Sequence, residues 1–269
     1  MPAVTGRRIA VLEGGSRFWI FPQIQGASAP LAAALDLCKS YATVGDRFVF
    51  LGSQIGVAGQ SLDVIEQLAA FQTWAEHEAG NSQGVMWLRG IQEELLERFY
   101  TLHMAQDPDQ ILDWMVLEHG FDALAPQFGF QISDLKRVCA QGASALADFT
   151  NQVRQGIRQH SVAAAYFDQC ARAAVSDQGN LLFVHGGVDP ARTLSLQTDA
   201  FWWGHPDFFR LQTPYRNFAR VFTTLTPNTH PRLEGPGRLA IDSQCGRGGK
   251  LSVLCVDLTG RELFNYSFE

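Results

Sequence analysis

Residues 88–96 read LRGIQEELL, a short stretch in which an apolar run ends, the chain turns at a glycine and a helix begins. The apolar run that leads into it, GVMWLRG over residues 84–90, has the length and composition of a buried strand. In open α/β proteins, the loops after the carboxyl ends of strands carry the functional side chains. The two residues at this turn, Ile91 and Gln92, therefore raise the question of what the loop holds.

The same pattern of strand and loop recurs along the chain. Apolar runs that end in a glycine-containing or polar turn predict four buried strands: RFWIF (17–21), RFVFLG (47–52), GVMWLRG (84–90) and NLLFVHGG (180–187). Helical spacing fills the intervals between the first three, over residues 30–42 and 61–80, with Gly80 as the predicted end of the second helix. Strands that alternate with helices in this way predict βαβ units.

The rest of the chain divides into a helical middle and a β-rich tail. Residues from about 93 to 175 show no convincing strand and predict a helical insertion. The tail predicts strands within ARVFTTLT (219–226), RLAIDSQ (238–244), KLSVLCVDL (250–258) and ELFNYSF (262–268). We therefore predict one α/β domain over residues 1–269, with its helical insertion at about 93–175.

Bulk composition excludes several classes of protein. The net charge of −6 and the pI near 5.6 argue against a nucleic-acid or anionic-membrane partner bound by bulk electrostatics. We find neither an apolar run long enough to span a bilayer nor a signal-peptide core at the start, so we expect no membrane insertion. Five cysteines without a C-x-x-C pair predict reduced thiols and a cytoplasmic location.

Six loops in the chain form an ordered series. They read PQIQG (22–26), LGSQIGVAG (51–59), LRGIQE (88–93), HGGVDP (185–190), FTTLTPNTHP (222–231) and IDSQCGRGGKL (241–251). The series resembles the loops of calcineurin-type metallophosphoesterases, and in particular their bacterial serine/threonine-phosphatase-like branch. In that family the loops run G-D-[IV]-H-G, F-L-G-D-x-[VI]-D-R-G, L-R-G-N-H-E, F-V-H-A-G-[IV]-x-P, G-H-T-P and I-D-T-G-x-x-x-G-[RK]-L. The resemblance covers residues 16–258 and implies a metallophosphoesterase-like β-sandwich with flanking helices.

The resemblance also shows which side chains replace those that bind metal in the family. The Asp and His of the first loop fall on Gln23 and Gln25, and the bridging Asp of the second falls on Ser53. The later Asp-Arg pair of the second loop falls on Gly56 and Val57.

The remaining loops show the same loss. The Asn ligand and the catalytic His of the third loop fall on Ile91 and Gln92. The His of the fourth loop is retained as His185, while the His of the fifth falls on Leu225 or on a neighbouring threonine. One residue of the ligand type is left.

A two-metal site needs anionic bridging ligands and several imidazoles, because two nearby cations must be held while they activate a bridging water. Neutral Gln and Ser side chains replace the carboxylates here, and Ile91 and Leu225 have no lone pair to donate. We therefore predict a pseudophosphatase with no metal, no other cofactor and no catalytic residue. We expect it to act as a regulatory module that binds a protein partner not identifiable from the sequence.

Two other functions stay open at this point. A phosphoesterase could have rebuilt its metal site, for example around His185 and Glu93. A small-molecule sensor could instead use the old pocket, whose side chains would form a dense hydrogen-bonding set: Gln23, Gln25, Ser53, Arg89, Gln92 and His185.

An aromatic segment supplies a candidate surface for a partner. DAFWWGHPDFF, residues 199–209, follows the fourth loop and contains the candidate patch residues Phe201, Trp202, Trp203, Phe208 and Phe209. If exposed, they would form a recognition patch, and if buried, they would be core packing beneath the loop. We expect Arg89 to pair with a neighbouring glutamate, and Cys245 to be unreactive. Asp46, Asp242 and the DPD sequence of residues 107–109 are candidate metal ligands by residue type, but we interpret the first two as turn residues and the third as a loop or helix start.

Overall fold

The computed structural model describes residues 9–77, 84–226 and 230–269, which form two β-sheets and flanking helices. The strands are Ile9–Leu12 (β1), Arg17–Phe21 (β2), Asp46–Phe50 (β3), Val85–Trp87 (β4), Ala173–Ser176 (β5), Leu181–Phe183 (β6), Arg220–Thr223 (β7), Arg232–Gly235 (β8), Arg238–Ile241 (β9), Leu251–Asp257 (β10) and Glu262–Phe268 (β11). The α-helices are Ser28–Tyr41 (α1), Ser61–His77 (α2), Ile91–Tyr100 (α3), Pro108–His119 (α4), Phe121–Leu124 (α5), Ile132–Cys139 (α6), Ala143–Gln159 (α7), Ser161–Gln169 (α8) and Ala200–Trp203 (α9). Short 3₁₀ turns lie at Leu102–Met104, Ala125–Phe128, Leu194–Leu196, Pro206–Arg210 and Cys245–Arg247.

The sheet order brings the carboxyl ends of several strands to one edge. One sheet has the order β11-β10-β2-β3-β4 and the other β1-β5-β6-β7-β9-β8. Strands β2, β3 and β4 are parallel, and Phe21 lies opposite Phe50, which in turn lies opposite Trp87. Strands β6, β7 and β9 are likewise parallel to one another. Within each sheet, the loops that follow these parallel strands therefore start at the same end.

Successive side chains of a strand point to opposite faces of the sheet, and this alternation forms the two main layers of the core. Phe18 and Ile20 of β2 pack between the two sheets, where they share a cluster with Phe183 and Phe222 of the facing sheet. Trp19 and Phe21 point the other way and pack against the helices. Because both faces of the central strands are covered, their sequences are apolar at nearly every position. This double burial explains why the predicted strands appear as continuous apolar runs.

The predicted α/β sandwich is confirmed, with corrections at its margins. All four apolar runs form strands at or near the predicted residues, and β2-α1-β3-α2-β4 is the expected pair of βαβ units. The second of these helices is described to His77, and Gly80 lies outside the described residues. Within the described segments, no helix is both long enough and apolar enough to cross a bilayer.

The predicted end of the helical insertion was wrong. Helix α8 ends at Gln169, and Ala173–Ser176 forms strand β5 between β1 and β6 instead of continuing the helix. The Ala-rich run AAVS has little β-character of its own, so its strand conformation depends on its two neighbours in the sheet. Strands β1 and β8 were also missed, because four-residue strands in short arginine- or glycine-containing segments give a weak periodic signal.

One buried carboxylate joins three parts of this framework. Glu93, in the first turn of α3, is 1% exposed and accepts hydrogen bonds from the backbone N–H groups of the loop after β3: Ser53 (2.8 Å), Gln54 (3.0 Å) and Ile55 (3.4 Å). It also accepts from the N–H of Gly90 (2.8 Å) and from the hydroxyl of Tyr166 in α8 (2.9 Å). Burial raises the pKa of Tyr166, which keeps its hydroxyl a donor. Glu93 thereby fixes two site loops against the helical insertion.

The two loops joined by Glu93 also require glycine where they cross. A Cβ on Gly90 would lie 2.1 Å from the backbone nitrogen of Ser53, and one on Gly52 would lie 2.5 Å from the nitrogen of Gly90. Both distances are well below van der Waals contact, so the backbones can approach this closely only without side chains at these positions.

We predict that Glu93→Gln lowers the free energy of unfolding by about 3 kcal/mol, because the new amide NH₂ would face N–H groups that have lost their acceptor. Urea unfolding followed by circular dichroism measures the change. Glu76→Gln, on the exposed side of α2, is the control for the substitution itself and should change stability little. Equal losses in the two variants would contradict the role assigned to Glu93.

Candidate functional site

The loops at the shared sheet edge surround a small polar cavity of about 160 Å³. Its lining consists of Gln23, Gln25, Ser53, Ile91, Gln92, Glu118, His119, Leu225, Asp242, Gln244 and Arg247. The structure thus brings together all six of the positions at which sequence comparison predicted replaced metal ligands. His185 lies behind this lining, with its Nε2 atom 3.3 Å from the hydroxyl of Ser53.

Backbone strain is concentrated at this cavity. Of the described residues other than glycine, four have positive φ, and three of them line the cavity: Gln25 (54°), Ser53 (52°) and Gln244 (48°). A left-handed conformation costs an L-residue on the order of 1 kcal/mol, and such residues cluster at functional sites. The loops around the cavity therefore hold a demanding backbone geometry.

Asp242 sets the direction of a chain of hydrogen bonds along one wall. Its carboxylate oxygens accept from the side-chain amide nitrogens of Gln23 (2.6 Å) and Gln244 (2.7 Å), which fixes the orientation of both amides. The side-chain oxygen of Gln23 then accepts from the amide nitrogen of Gln25 (3.0 Å). The side-chain oxygen of Gln25 is left over, and it accepts no hydrogen bond from the described residues.

The side-chain amide of Gln92 also has a fixed orientation and an oxygen without a donor among the described residues. Its amide nitrogen donates to the backbone carbonyl of His119 at 2.9 Å, and because a carbonyl can only accept, the orientation of the amide is fixed. The side chain of Gln92 is 4% exposed, and its oxygen finds no donor in the described parts of the chain. Gln25 and Gln92, which both line the cavity, thus each have a side-chain oxygen that accepts no hydrogen bond from the described residues.

The surviving histidine is held neutral. The Nδ1 atom of His185 lies 2.8 Å from the backbone oxygen of Leu51, so Nδ1 carries the proton and Nε2 accepts from Ser53. His185 is fully buried, and burial lowers its pKa to about 4, against the small opposing effect of the Leu51 hydrogen bond. A buried neutral imidazole with both nitrogens engaged is a structural group, as a lone histidine at a strand end is expected to be.

The donor set does not fit a pair of divalent metal ions. Two such ions need several carboxylates and imidazoles that converge. Here the carboxylate of Asp242 is occupied by two amides, Ile91 and Leu225 offer no donor atom, and His185 stands behind Ser53. Across residues 9–77, 84–226 and 230–269, no three His, Cys, Asp or Glu side chains are grouped so as to hold a metal ion.

Arg89 corrects the predicted set of pocket residues. It was expected either to pair with a glutamate or to help bind a ligand, and it is not among the residues that line the cavity. Its guanidinium lies 3.3 Å from Glu94 and 3.5 Å from Glu97, which hold it on α3. The expected glutamate pairing is confirmed, and the place of Arg89 in the pocket was wrong.

Three other candidates have ordinary structural roles. Asp46 is buried and pairs with Arg17 at 2.6 Å, and Asp107 caps α4 by accepting from the backbone nitrogen of Gln110 at 3.0 Å. Burial raises the pKa of Cys245 to about 11, so its thiol is protonated at neutral pH and unreactive, as expected.

The predicted aromatic patch is mostly core and has to be corrected. Phe201, Trp202 and Phe208 are buried, and Phe201 and Phe208 belong to a core cluster with Leu182 of β6 and Val221 of β7 in the six-stranded sheet. The remaining two, Trp203 and Phe209, line a groove of about 560 Å³. The lining of this groove also includes Gly204, His205, Pro206, Arg210, Leu225 and Thr226.

The groove adjoins the polar cavity. Leu225 lines both of them, and the ring of His119, which borders the cavity, lies 5.0 Å from the ring of Trp203, which borders the groove. Arg98 holds Trp203 in place from the other side, with its guanidinium 5.3 Å from the indole. Leu225 is therefore part of the wall between the cavity and the groove.

Five cavity residues were not predicted as site residues: Glu118, His119, Asp242, Gln244 and Arg247. The first two end helix α4 in the insertion, where no motif marks them, and only the folded chain brings them to the loops. The other three lie in the loop after β9, whose Gly-rich sequence was a usable signal. Asp242 in particular was interpreted as a turn residue, whereas it directs the hydrogen bonds of the site.

Solved structures resemble this arrangement of sheets and helices. No family model matches the chain, and no curated protein matches it in sequence. Similar structures include a protein serine/threonine phosphatase from Saccharomyces cerevisiae with similarity to human phosphatase PP5 (13% identity, 98% of this chain and 84% of that chain, TM-score 0.54). A cold-active protein-tyrosine phosphatase of a psychrophilic Shewanella species is also similar (13% identity, 98% and 84% of the two chains, TM-score 0.51). So is a protein described as a diadenosine tetraphosphatase (15% identity, 98% and 99% of the two chains, TM-score 0.51).

At identities this low, the similarity establishes the fold alone. The chain has the calcineurin-like metallophosphoesterase fold, as the order of its loops predicted. What the cavity does has to be argued from its own side chains.

We predict that stability falls as the pH is lowered from about 6.5 towards 4. In that range His185 accepts a proton in the unfolded chain but stays neutral in the folded one, whereas above 6.5 it is neutral in both. The full effect is on the order of 3 kcal/mol, and it adds to the effects of other groups. Urea unfolding at pH 7, 5.5 and 4.5 measures it.

His185→Asn, which can still donate to the carbonyl of Leu51, should flatten this pH dependence. His77→Asn, at the exposed end of α2, controls for loss of a histidine elsewhere. An unchanged slope in His185→Asn would show that another group causes the loss of stability in acid.

Proposed function

We propose that this protein is a pseudophosphatase, a phosphoesterase fold that has lost metal-dependent catalysis and acts by binding. The observation that carries the proposal is the replacement of the metal ligands by a directed amide network. The positions that hold metal in the family converge on one cavity, and Gln23, Gln25 and Gln244 there are linked to one another through Asp242. In this network, the side-chain N–H groups of Gln23 and Gln244 donate to the carboxylate of Asp242, which is then not free to bind a metal ion.

The loss of charge supports the same interpretation. A cluster of carboxylates without metal would repel one another, whereas neutral amides pack without a cation. His185, the retained residue of the ligand type, is neutral and hydrogen-bonded on both nitrogens. The site is therefore compatible with a stable fold in the absence of any metal.

A rebuilt metal site is less well supported. The carboxylate of Glu93 is the nearest acidic candidate in the third loop, and it already accepts from five protein donors. Recruiting it for a metal would leave buried N–H groups unsatisfied, at a cost of roughly 1–3 kcal/mol for each group.

A partner-binding role is favoured over a sensor of free metabolites by the size of the surfaces. The cavity of about 160 Å³ is smaller than the 300–1,000 Å³ common for small-molecule sites. The adjoining groove of about 560 Å³ extends the surface past Leu225 and carries two aromatic side chains, Trp203 and Phe209. We therefore propose a protein partner that places a small polar group in the cavity and covers the groove.

Metal content and hydrolysis test the loss of catalysis. Purified protein, exposed to manganese and passed through a desalting column, should hold well under one metal equivalent by elemental analysis. It should also fail to hydrolyse p-nitrophenyl phosphate in the presence of manganese. One equivalent or more of metal, with turnover that His185→Asn abolishes, would overturn the proposal.

A pair of substitutions controls for the sensitivity of the metal measurement. Gln23→Asp combined with Ser53→Asp restores two of the carboxylates that the family uses, at positions that already line the cavity. We expect manganese affinity at least about tenfold higher than that of the unchanged protein, since single supporting groups change affinity about 10–100-fold. Equal affinity in both proteins would show that the cavity geometry, and not only its residue types, is unsuited to metal.

A further inference from the structure

Two residues that line the polar cavity have a side-chain acceptor that is not used within the described chain. The side-chain oxygens of Gln25 and Gln92 are both without a donor from the described residues, and both residues line the cavity. Their orientations are not interchangeable, because Asp242 fixes the first through Gln23 and the backbone oxygen of His119 fixes the second. Buried acceptors left without a donor cost free energy, which a ligand that donates to them would recover.

The charges around the cavity have the sign that suits a cationic donor. Asp242 and Glu118 contribute two carboxylates, and Arg247 contributes one guanidinium. Burial lowers the pKa of His119, and Arg247 lowers it further against the opposing effect of Glu118, so this ring is neutral at pH 7. The lining thus carries one net negative charge.

We propose that the cavity binds a primary ammonium group, which donates to the free oxygens of Gln25 and Gln92. This inference rests on the proposed function, because a metal ion in the cavity would compete for the same space. An ammonium group has three N–H donors and no acceptor, and it is small enough for a cavity of about 160 Å³. Phosphate has the opposite chemistry, since it brings only acceptors and negative charge to a site that already has both.

The ammonium could belong to a lysine side chain of a polypeptide or to a free small amine. A lysine tip in the cavity would leave its backbone near Leu225 and the groove, where Trp203 and Phe209 offer apolar contact. A free amine would use the cavity alone. The two sources make the same contacts with Gln25 and Gln92 and differ in the contribution of the groove.

Nuclear magnetic resonance of the side-chain amides tests the proposal directly. The probes are methylammonium and Nα-acetyl-lysine methylamide, titrated into ¹⁵N-labelled full-length protein at constant ionic strength. We expect saturable shifts of the Gln25 and Gln92 NH₂ signals with both probes. Nα-acetyl-norleucine methylamide, which lacks the ammonium group, and inorganic phosphate should give no saturable shift of these signals.

Matched substitutions identify the oxygens that bind. Gln92→Met keeps the length of the side chain and removes its oxygen, and it should weaken binding of both amines at least about tenfold, the loss of one hydrogen bond to a charged group. Gln25→Met is the second variant, in case Gln92→Met does not fold. Gln67→Met is the control and should leave binding unchanged, because Gln67 lies outside the cavity. Gln67 otherwise matches Gln92: its side-chain nitrogen donates a hydrogen bond, here to Ser28 (2.6 Å), and its buried side-chain oxygen has no donor within the described chain.

The outcomes separate cleanly. Lysine methylamide that binds at least about tenfold more tightly than methylammonium assigns the site to a polypeptide, and equal affinities assign it to a small amine; both support the ammonium site. Absence of saturable binding by either amine, equal affinity in folded Gln92→Met and Gln25→Met, or equally tight binding of potassium would overturn it. In those cases a negative metal and hydrolysis assay would leave the pseudophosphatase proposal standing, whereas manganese binding with turnover would overturn both proposals.

Discussion

The hydrogen bonds accepted by the buried carboxylate of Glu93 hold the site in place. Backbone N–H groups from the loops after β3 and β4 converge on this one side chain, and the Tyr166 hydroxyl ties it to the helical insertion. Burying a carboxylate is favourable only if its oxygens are fully satisfied, so the two loops and helix α8 must adopt one mutual arrangement. The crossing of Gly52 and Gly90 depends on that arrangement, because it brings their backbones closer than any side chain would allow. Glu93 lies in the first turn of α3, and its hydrogen bonds hold the framework together.

The cavity is built on that framework by substitution of chemistry and not of geometry. Left-handed conformations at Gln25, Ser53 and Gln244 persist, although these residues pay a conformational cost there that glycine would not. The hydrogen bonds along the cavity wall run in one direction. Asp242 orders the amides of Gln23 and Gln25, and the chain of hydrogen bonds ends in an acceptor, the oxygen of Gln25.

Some strands and site residues could be predicted from the sequence, and others could not. Strands β2, β3, β4 and β6 were predicted because they are buried on both faces, and their apolar runs and glycine-ended loops are strong local signals. Strand β5 was assigned to a helix, since its residues become a strand only between β1 and β6. Arg89 was placed in the pocket because it adjoins Ile91 in sequence, whereas its guanidinium turns to Glu94 and Glu97. Phe201, Trp202 and Phe208 could not be assigned to core or surface from the sequence, because their burial depends on packing against distant parts of the chain, such as β6 and β7.

The sequence by itself determined the fold, because the fold depends on local features: the length of apolar runs, the glycines at turns and the order of the short loops. It also predicted neutral side chains at the positions where the metallophosphoesterase family binds metal. Only the tertiary structure decided what those side chains do, because hydrogen-bond direction depends on partners distant in sequence. Asp242 orients Gln23 from 219 positions away, and the backbone of His119 orients Gln92 from the helical insertion. The meeting of these groups at one cavity, with Glu118 and Arg247 at its edge, is a property of packing that no short stretch of sequence contains.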